Sequence, residues 1–340
     1  MSDQARRTAA FRRNPDLEAL LREINGLLGP AQREIVNTCG QPAKPVVMVV
    51  GAPRSGTTLS MQWLAASGCF GYPTNLLSRF YGAPYLGARI QRLLTDPRFD
   101  YNAELADLTG GFSFASNLGK TRGTLAPNEF WYFWRRFIPN EEPRYLSPEE
   151  EALIDGEGLA RELAALQLAF EKPLAMKGII LEFNITALAR AVPSSFFFFV
   201  KRLPFFNIQS LLEAREKYYG TRAEWYSVRP PEYEELCRLN PIEQVAGQVH
   251  CTNRCIEAAL AELPPERGIT VAYEKFCRNP ASVWTKLRER LENMGYHLQR
   301  SYKGPKSFDV TNQIRVSYDD AAAIVAAWER QTGEQIDLPG

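Results

Sequence analysis

Short, nearly continuous apolar runs alternate along this chain with longer stretches of helical periodicity. Pro45-Val46-Val47-Met48-Val49-Val50 and Phe196-Phe197-Phe198-Phe199-Val200 have no polar position to turn toward water, the pattern of strands buried on both faces of a parallel sheet. Leu174-Ala175-Met176-Lys177-Gly178-Ile179 and residues 269–273 read as further strands. Helices are expected at 57–67, ended by Gly68, and at 185–192, 206–219, 241–263 and 280–294. Another opens at Pro148 and runs toward Phe170, with a break at Gly156 and Gly158. Strands alternating with helices predict an α/β fold with a doubly wound, mainly parallel sheet. Ahead of it, Leu17, Leu20, Leu21, Ile24, Leu27 and Leu28 recur at helical spacing. Residues 1–44 are therefore expected to form an N-terminal helical extension, packed on the main domain or against another subunit of a homodimer. Gly40-Gln41-Pro42-Ala43-Lys44-Pro45 links it to a single domain spanning 45–340. Within that domain residues 70–150, rich in aromatics and glycine, are expected as irregular loops that read a substrate.

Composition narrows the classes. With 340 residues, 45% of them hydrophobic, the chain can bury a substantial core. Lys+Arg 40 against Asp+Glu 39 gives a formal charge of +1, which supplies no global attraction for nucleic acid or an anionic membrane, so any cationic site must be local. The apolar runs fall far short of the about 20 residues that span a bilayer, and the N-terminal stretch lacks the hydrophobic segment of a secretory signal. The expectation is a soluble, cytoplasmic protein. The six cysteines show no C-x-x-C framework; His250, Cys251 and Cys255 lack the second cluster of a structural zinc site, and no metal is expected.

The chemistry concentrates in Gly51-Ala52-Pro53-Arg54-Ser55-Gly56-Thr57-Thr58, a glycine-hinged loop between a strand and a helix start. Its glycines allow a tight turn, so that successive backbone N–H groups and the positive end of the helix dipole point at one oxyanion. A nucleoside-triphosphatase loop, G-x-x-x-x-G-K-[ST], has a lysine where this chain has Thr57. The hydroxyls of Thr57 and Thr58 suit a single phosphate, and Arg54 would set its guanidinium over a bridging or leaving oxygen beside it.

This loop resembles the 5′-phosphosulfate loop of the sulfotransferases that use 3′-phosphoadenosine 5′-phosphosulfate (PAPS). A second stretch resembles that family's 3′-phosphate motif: Ser194-Ser195-Phe196-Phe197-Phe198-Phe199-Val200-Lys201-Arg202-Leu203-Pro204-Phe205-Phe206-Asn207-Ile208-Gln209-Ser210, with Arg202 and Ser210 spaced as the family's pair is. The resemblance implies a P-loop-like sulfotransferase fold and a PAPS donor held by Arg54, Ser55, Gly56, Thr57, Thr58, Arg202 and Ser210. Lys177, before the helix at 185–192, resembles a basic residue that many members place there, and would assist Arg54 and Thr57 at the departing phosphate. Val271-Ala272-Tyr273-Glu274 resembles the family's Tyr-Glu element, whose tyrosine lies near the adenine. Tyr302-Lys303-Gly304 partly resembles a late basic loop over the 3′-phosphate, which would make Lys303 a donor contact; the arginine that precedes that loop elsewhere is absent here.

Sulfuryl transfer needs a base for the acceptor hydroxyl. Cytosolic members use a histidine between the two phosphate motifs, but this chain's two histidines, His250 and His297, both lie beyond Arg202. Members acting on carbohydrates or protein tyrosine use a glutamate. Glu129, in Pro127-Asn128-Glu129-Phe130-Trp131-Tyr132-Phe133-Trp134, is the candidate, at a helix start whose aromatics would desolvate it; Glu182 and His250 are the next choices. The aromatics around Glu129 suit a carbohydrate or another small-molecule acceptor, and Lys120 and Arg122 would attract an anionic one. A P-loop kinase of a nucleotide or metabolite, and a catalytically silent nucleotide-binding member, are the alternative readings.

Overall fold

The computed structural model describes residues 3–100, 102–108, 110–298 and 301–337. Its centre is a four-stranded sheet of β1 (Val46–Val50), β4 (Leu174–Lys177), β5 (Ser195–Lys201) and β6 (Gly268–Ala272), in the order β4-β1-β5-β6. Every pairing is parallel, with Val49 opposite Lys177, Val50 opposite Phe199 and Lys201 opposite Ala272. All five residues of β1 and the whole Phe196–Val200 run are inaccessible, because helices cover both faces. One face carries Met48, Met176, Phe197 and Phe199, the other Val47, Val49, Phe196 and Phe198. In this register the carboxyl ends of the four strands line up at one edge, where Gly51, Lys177, Arg202 and Tyr273 stand together. Open parallel sheets bind ligands there.

Several elements differ from the pattern read along the chain. The strand at 174–179 stops at Lys177, and Ile179–Leu181 forms a 3-10 turn. The helix expected from Pro148 is two, Pro148–Glu151 and Gly156–Phe170; Asp155 accepts a hydrogen bond from the Gly158 N–H, so the glycines begin the second helix instead of interrupting one. Residues 70–150 are not wholly irregular. Pro84–Thr95 is an amphipathic helix that buries Gly87, Ala88 and Gln91 and half-buries Leu86, Ile90 and Leu94. A hairpin joins β2 (Ser116–Asn117) to β3 (Lys120–Thr121) through Leu118 and Gly119, both at positive φ. A further helical turn, Tyr233–Leu236, lies between the helices Pro204–Tyr219 and Pro241–Ala261.

The helix Tyr318–Thr332 is one the periodicity reading lacks. It packs Ala321, Ile324, Ala327 and Trp328 against the helices Pro204–Tyr219 and Pro241–Ala261. The N-terminal helix Pro15–Val36 lies on the main domain, against Gly156–Phe170 and Pro84–Thr95, with Gln32 bonded to buried Glu162. Its Leu20 and Leu27 stay exposed. No helix among the described residues is long and apolar enough to cross a membrane.

Candidate active site

A cavity of about 1280 Å³ opens at the carboxyl edge of the sheet. Thr58 and Arg202, from the two motifs, both line it.

The glycine loop forms its floor. Gly51 and Gly56 have φ of 148° and 108°, and neither has room for a side chain: a Cβ on Gly51 would fall 2.4 Å from the Val200 carbonyl oxygen, one on Gly56 2.5 Å from the Tyr273 ring. The loop is thus pressed onto β5 and onto Tyr273, the residue that follows β6. Ser55 is fully buried, its Oγ without a hydrogen-bond partner among the described residues. Thr57 and Thr58 open the helix Thr57–Ala66, whose first N–H groups face the cavity end of the loop.

At one end stands Arg202, 8% exposed. It donates to Asn312 Oδ1 (2.9 Å), to the Thr311 carbonyl (3.0 Å) and to the Arg54 carbonyl (3.2 Å), and lies over the Tyr273 ring. Every acceptor is neutral. The nearby Glu274 carboxylate is taken up by the Leu203 N–H and the Asn312 amide, and burial holds the Arg202 guanidinium below its usual pKa. Arg54, itself at φ 69°, donates from Nε to Ser210 Oγ at 3.3 Å, so its side chain runs toward Arg202's end of the cavity. Tyr273 is a packing floor for Gly56 and Arg202, with its hydroxyl against Thr311 Oγ1.

At the other end Lys177 Nζ, only 4% exposed, donates to Thr58 Oγ1 (2.8 Å) and to Glu129 Oε1 (2.6 Å). The second oxygen of Glu129 accepts from the Trp131 indole N–H at 2.7 Å. Phe130, between the two, takes a left-handed φ of 58°, which turns Glu129 back toward the cavity as the short helix Trp131–Trp134 begins. Gly119 of the hairpin overhangs the group: a Cβ there would sit 3.0 Å from Glu129 Oε1 and 3.6 Å from Thr58 Oγ1.

Other candidates lie elsewhere. Glu182 is fully buried beneath the loop, where it accepts the Gly51 N–H, and does not line the cavity. His250 packs on Trp328 on the far side of the helix Pro241–Ala261, and His297 is exposed against Glu292. Lys303 is exposed and outside the cavity; its neighbour Tyr302 bonds Trp63 and the Pro305 carbonyl on the outer side of the core. Arg122 is exposed as well. All six cysteines are free, and burial pushes the Cys251 thiol up to about 12 and the Cys255 thiol up to about 11.

Three groups of cavity residues escape the sequence reading. Thr311 lines the cavity and, with Asn312 behind it, holds Arg202; both come from a segment without regular structure and carry no local signal. Tyr226 lines the cavity, its hydroxyl pushed above its ordinary pKa by burial. The third group is the N-terminal segment, where Phe11, Arg13, Leu17 and Glu18 form one wall. Thr8 ties that segment down through hydrogen bonds to the Lys217 and Tyr218 carbonyls.

The parallel sheet thus brings a glycine-hinged loop, a buried arginine and a lysine bonded to Glu129 to one edge. The family model described as the sulfotransferase family matches residues 45–293, and the chain belongs to that family: it is an enzyme of sulfuryl transfer. Among solved structures it is similar to the sulfotransferase STF9 from Mycobacterium avium, with 16% identity, TM-score 0.53, 96% of this chain and 88% of that one covered. It is also similar to STF1 from Mycobacterium tuberculosis H37Rv, with 14% identity, TM-score 0.48, and 93% and 82% covered. The likeness to STF9 is one of fold. A comparison with curated proteins returns no match.

Proposed function

We propose that this protein moves a sulfuryl group from PAPS to a hydroxyl of a carbohydrate or another small molecule. The observation that carries the reading is Arg202: a buried guanidinium bonded only to neutral oxygens calls for an anion, and it shares one cavity with the loop that ends in Thr58. In this reading Arg202, Ser210 and Arg54 hold the 3′-phosphate. The loop amides, Thr57 and Thr58 hold the 5′-phosphosulfate. Arg54 reaches Ser210, which favours Lys177 and Thr58 over Arg54 for the charge that grows on the departing phosphate oxygen.

Glu129 is the base. It takes the hydroxyl proton while the acceptor oxygen forms its bond to sulfur; the bond between sulfur and the 5′-phosphate oxygen breaks, and its electron pair leaves with the 3′,5′-bisphosphate. Lys177 and the Trp131 indole fix the carboxylate for this role. Tyr273 serves donor binding through Gly56 and Arg202; Lys303, exposed and outside the cavity, is given no role in this reading.

The test is calorimetry with adenosine 3′,5′-bisphosphate (PAP) against ATP, followed by incubation with PAPS and a panel of hydroxyl acceptors and mass measurement for an added sulfuryl group. Tight PAP binding, weak ATP binding and a sulfated product are expected. Preference for ATP would replace this reading by a kinase.

A further inference from the structure

Away from Lys177 and Glu129, the cavity wall is cationic, and its cations are crowded. The guanidinium of Arg13 lies 5.7 Å from the centre of the Tyr132 ring, and that of Arg135 lies 5.8 Å from the centre of the same ring. The two like charges repel one another, Arg13 from the solvent side and Arg135 from a half-buried position. Of the nearby carboxylates, that of Glu141 pulls on Arg135 more weakly than burial and Arg13 push against it, and the other two are engaged elsewhere. Glu18 accepts the Tyr132 hydroxyl at 2.7 and 2.8 Å, Glu142 pairs with Arg229, and Glu141 offers Arg135 its backbone carbonyl, 2.8 Å from Nε. Neither Arg13, Arg135 nor Lys120 has an ion-pair partner among the described residues. Burial, and after it the neighbouring Arg13, holds the Arg135 guanidinium below its usual pKa; burial and Arg7 do the same to the Lys120 ammonium.

The cluster is continuous with the transfer site. Lys120 follows Gly119, which overhangs Glu129, and its Nζ sits 5.1 Å from the centre of the Phe11 ring. Trp131 donates to Glu129, while Arg135, one helical turn on, sits 6.0 Å from the centre of its ring. A molecule with its hydroxyl at Glu129 that ran along Trp131 and Tyr132 would bring its other end to Arg13 and Arg135, with Lys120 on the Phe11 side of the same cavity. Arg13 and Phe11 of this second subsite lie ahead of the segment that matches the family.

We propose that the acceptor is a hydroxyl compound with an apolar or aromatic middle and a second, anionic end, a carboxylate or a phosphate, which Arg13, Arg135 and Lys120 bind. The proposal rests on the sulfotransferase reading for the hydroxyl end, but its anion site can be measured by itself.

The experiment uses the full-length protein and matched probes on one skeleton: 2-phenylethanol, 4-(2-hydroxyethyl)benzoate and 4-(2-hydroxyethyl)phenyl phosphate, with 1-octanol, 8-hydroxyoctanoate and 8-hydroxyoctyl phosphate as a second set. Binding is read by calorimetry with and without PAP, and turnover is followed with PAPS. At least one anionic member of a set should bind tenfold or more tightly than its neutral parent, and the choice between carboxylate and phosphate arms identifies the group. Arg13→Gln and Arg135→Gln should each bring that ratio toward one. Equal binding of neutral and anionic members in both sets, or an unchanged ratio in both variants, overturns the proposal. Because the binding arm needs no turnover, it decides the anion site even if PAPS proves not to be the donor. Failure of PAP to bind would instead strike the donor reading.

Discussion

Arg202 donates to the backbone carbonyl of Arg54 across 148 residues of sequence, at 3.2 Å, so the arginine after β5 and the anion loop after β1 are held as one unit. The parallel register of β1 on β5 makes the contact possible, since Val50 and Phe199 are partners and the chain leaves both strands on the same edge. Removing Arg202 should therefore act on binding of a 3′-phosphate. Truncating one partner of a buried charge pair costs about 2–5 kcal/mol, roughly 30-fold to several thousand-fold in affinity. Calorimetry of Arg202→Ala with PAP should show a loss in that range, and adenosine 5′-monophosphate, which lacks the 3′-phosphate, should lose much less. Equal losses for the two nucleotides would mean that Arg202 serves the loop and not the phosphate.

Glu129 and Lys177 are predicted to separate in kinetics although they touch. Glu129→Gln keeps the shape and the Trp131 bond but cannot take a proton, so kcat should fall roughly a hundred- to ten-thousand-fold with PAP affinity near that of the parent. Lys177→Met strips a cation from Thr58 as well as from Glu129, and should lower kcat by about a hundred- to a thousand-fold while also weakening the donor. Single-turnover rates beside PAP titrations distinguish the two. A Glu129→Gln enzyme that turns over like the parent removes Glu129 as the base.

Gly56 offers a third measurement. At φ 108° and with the Tyr273 ring where a Cβ would stand, Gly56→Ala must strain the loop, about 1–3 kcal/mol, and push aside the ring that underlies Arg202. We expect a melting temperature several degrees lower and weaker PAP binding in the same variant. A variant that melts earlier yet binds PAP as the parent does would uncouple Tyr273 from the donor site.

What the sequence made legible follows from how local each signal is. The Val46–Val50 and Phe196–Val200 runs announce buried parallel strands because every position must be apolar, and the loop and Arg202 follow directly from where those strands end. Helix Pro84–Thr95 carries Leu86, Ile90 and Leu94 at helical spacing behind Pro84 at its start, a periodicity set inside a segment whose aromatics and glycines read as loop. Helix Tyr318–Thr332 did have a readable signature: Ser317 as N-cap, Asp319 and Asp320 in the first turn, Ala321, Ile324 and Trp328 on one face, and Gly333 beyond the end. The site divides in the same way. Lys177 and Glu129 could be named singly, but nothing local says that they meet. That Arg13 and Arg135 share the ring of Tyr132 depends on where the N-terminal segment is tied to the helix Pro204–Tyr219. Lys303 is the opposite case: a short motif of the right residue types whose lysine the fold leaves exposed and outside the cavity.

Glu182 gives the pH prediction. Its carboxyl is fully buried, accepts the Gly51 N–H at 3.3 Å through one oxygen and leaves the other without a partner among the described residues. Burial raises its pKa well above the usual 4.5, against the smaller opposing pulls of that hydrogen bond and of Lys177. The folded chain therefore keeps a proton that the unfolded chain releases near its ordinary value. The stability contributed is complete below that ordinary value and is lost as pH rises through the folded one, with a slope of up to about 1.4 kcal/mol per pH unit between them. Glu182→Gln preserves an oxygen for Gly51 and cannot ionise, so its unfolding free energy should vary less from pH 5 to pH 8 and exceed the parent's at the upper end. Denaturant titrations across that range test this; parallel curves for the two proteins would mean that the Glu182 carboxylate is charged in the native fold and that Lys177 outweighs its burial.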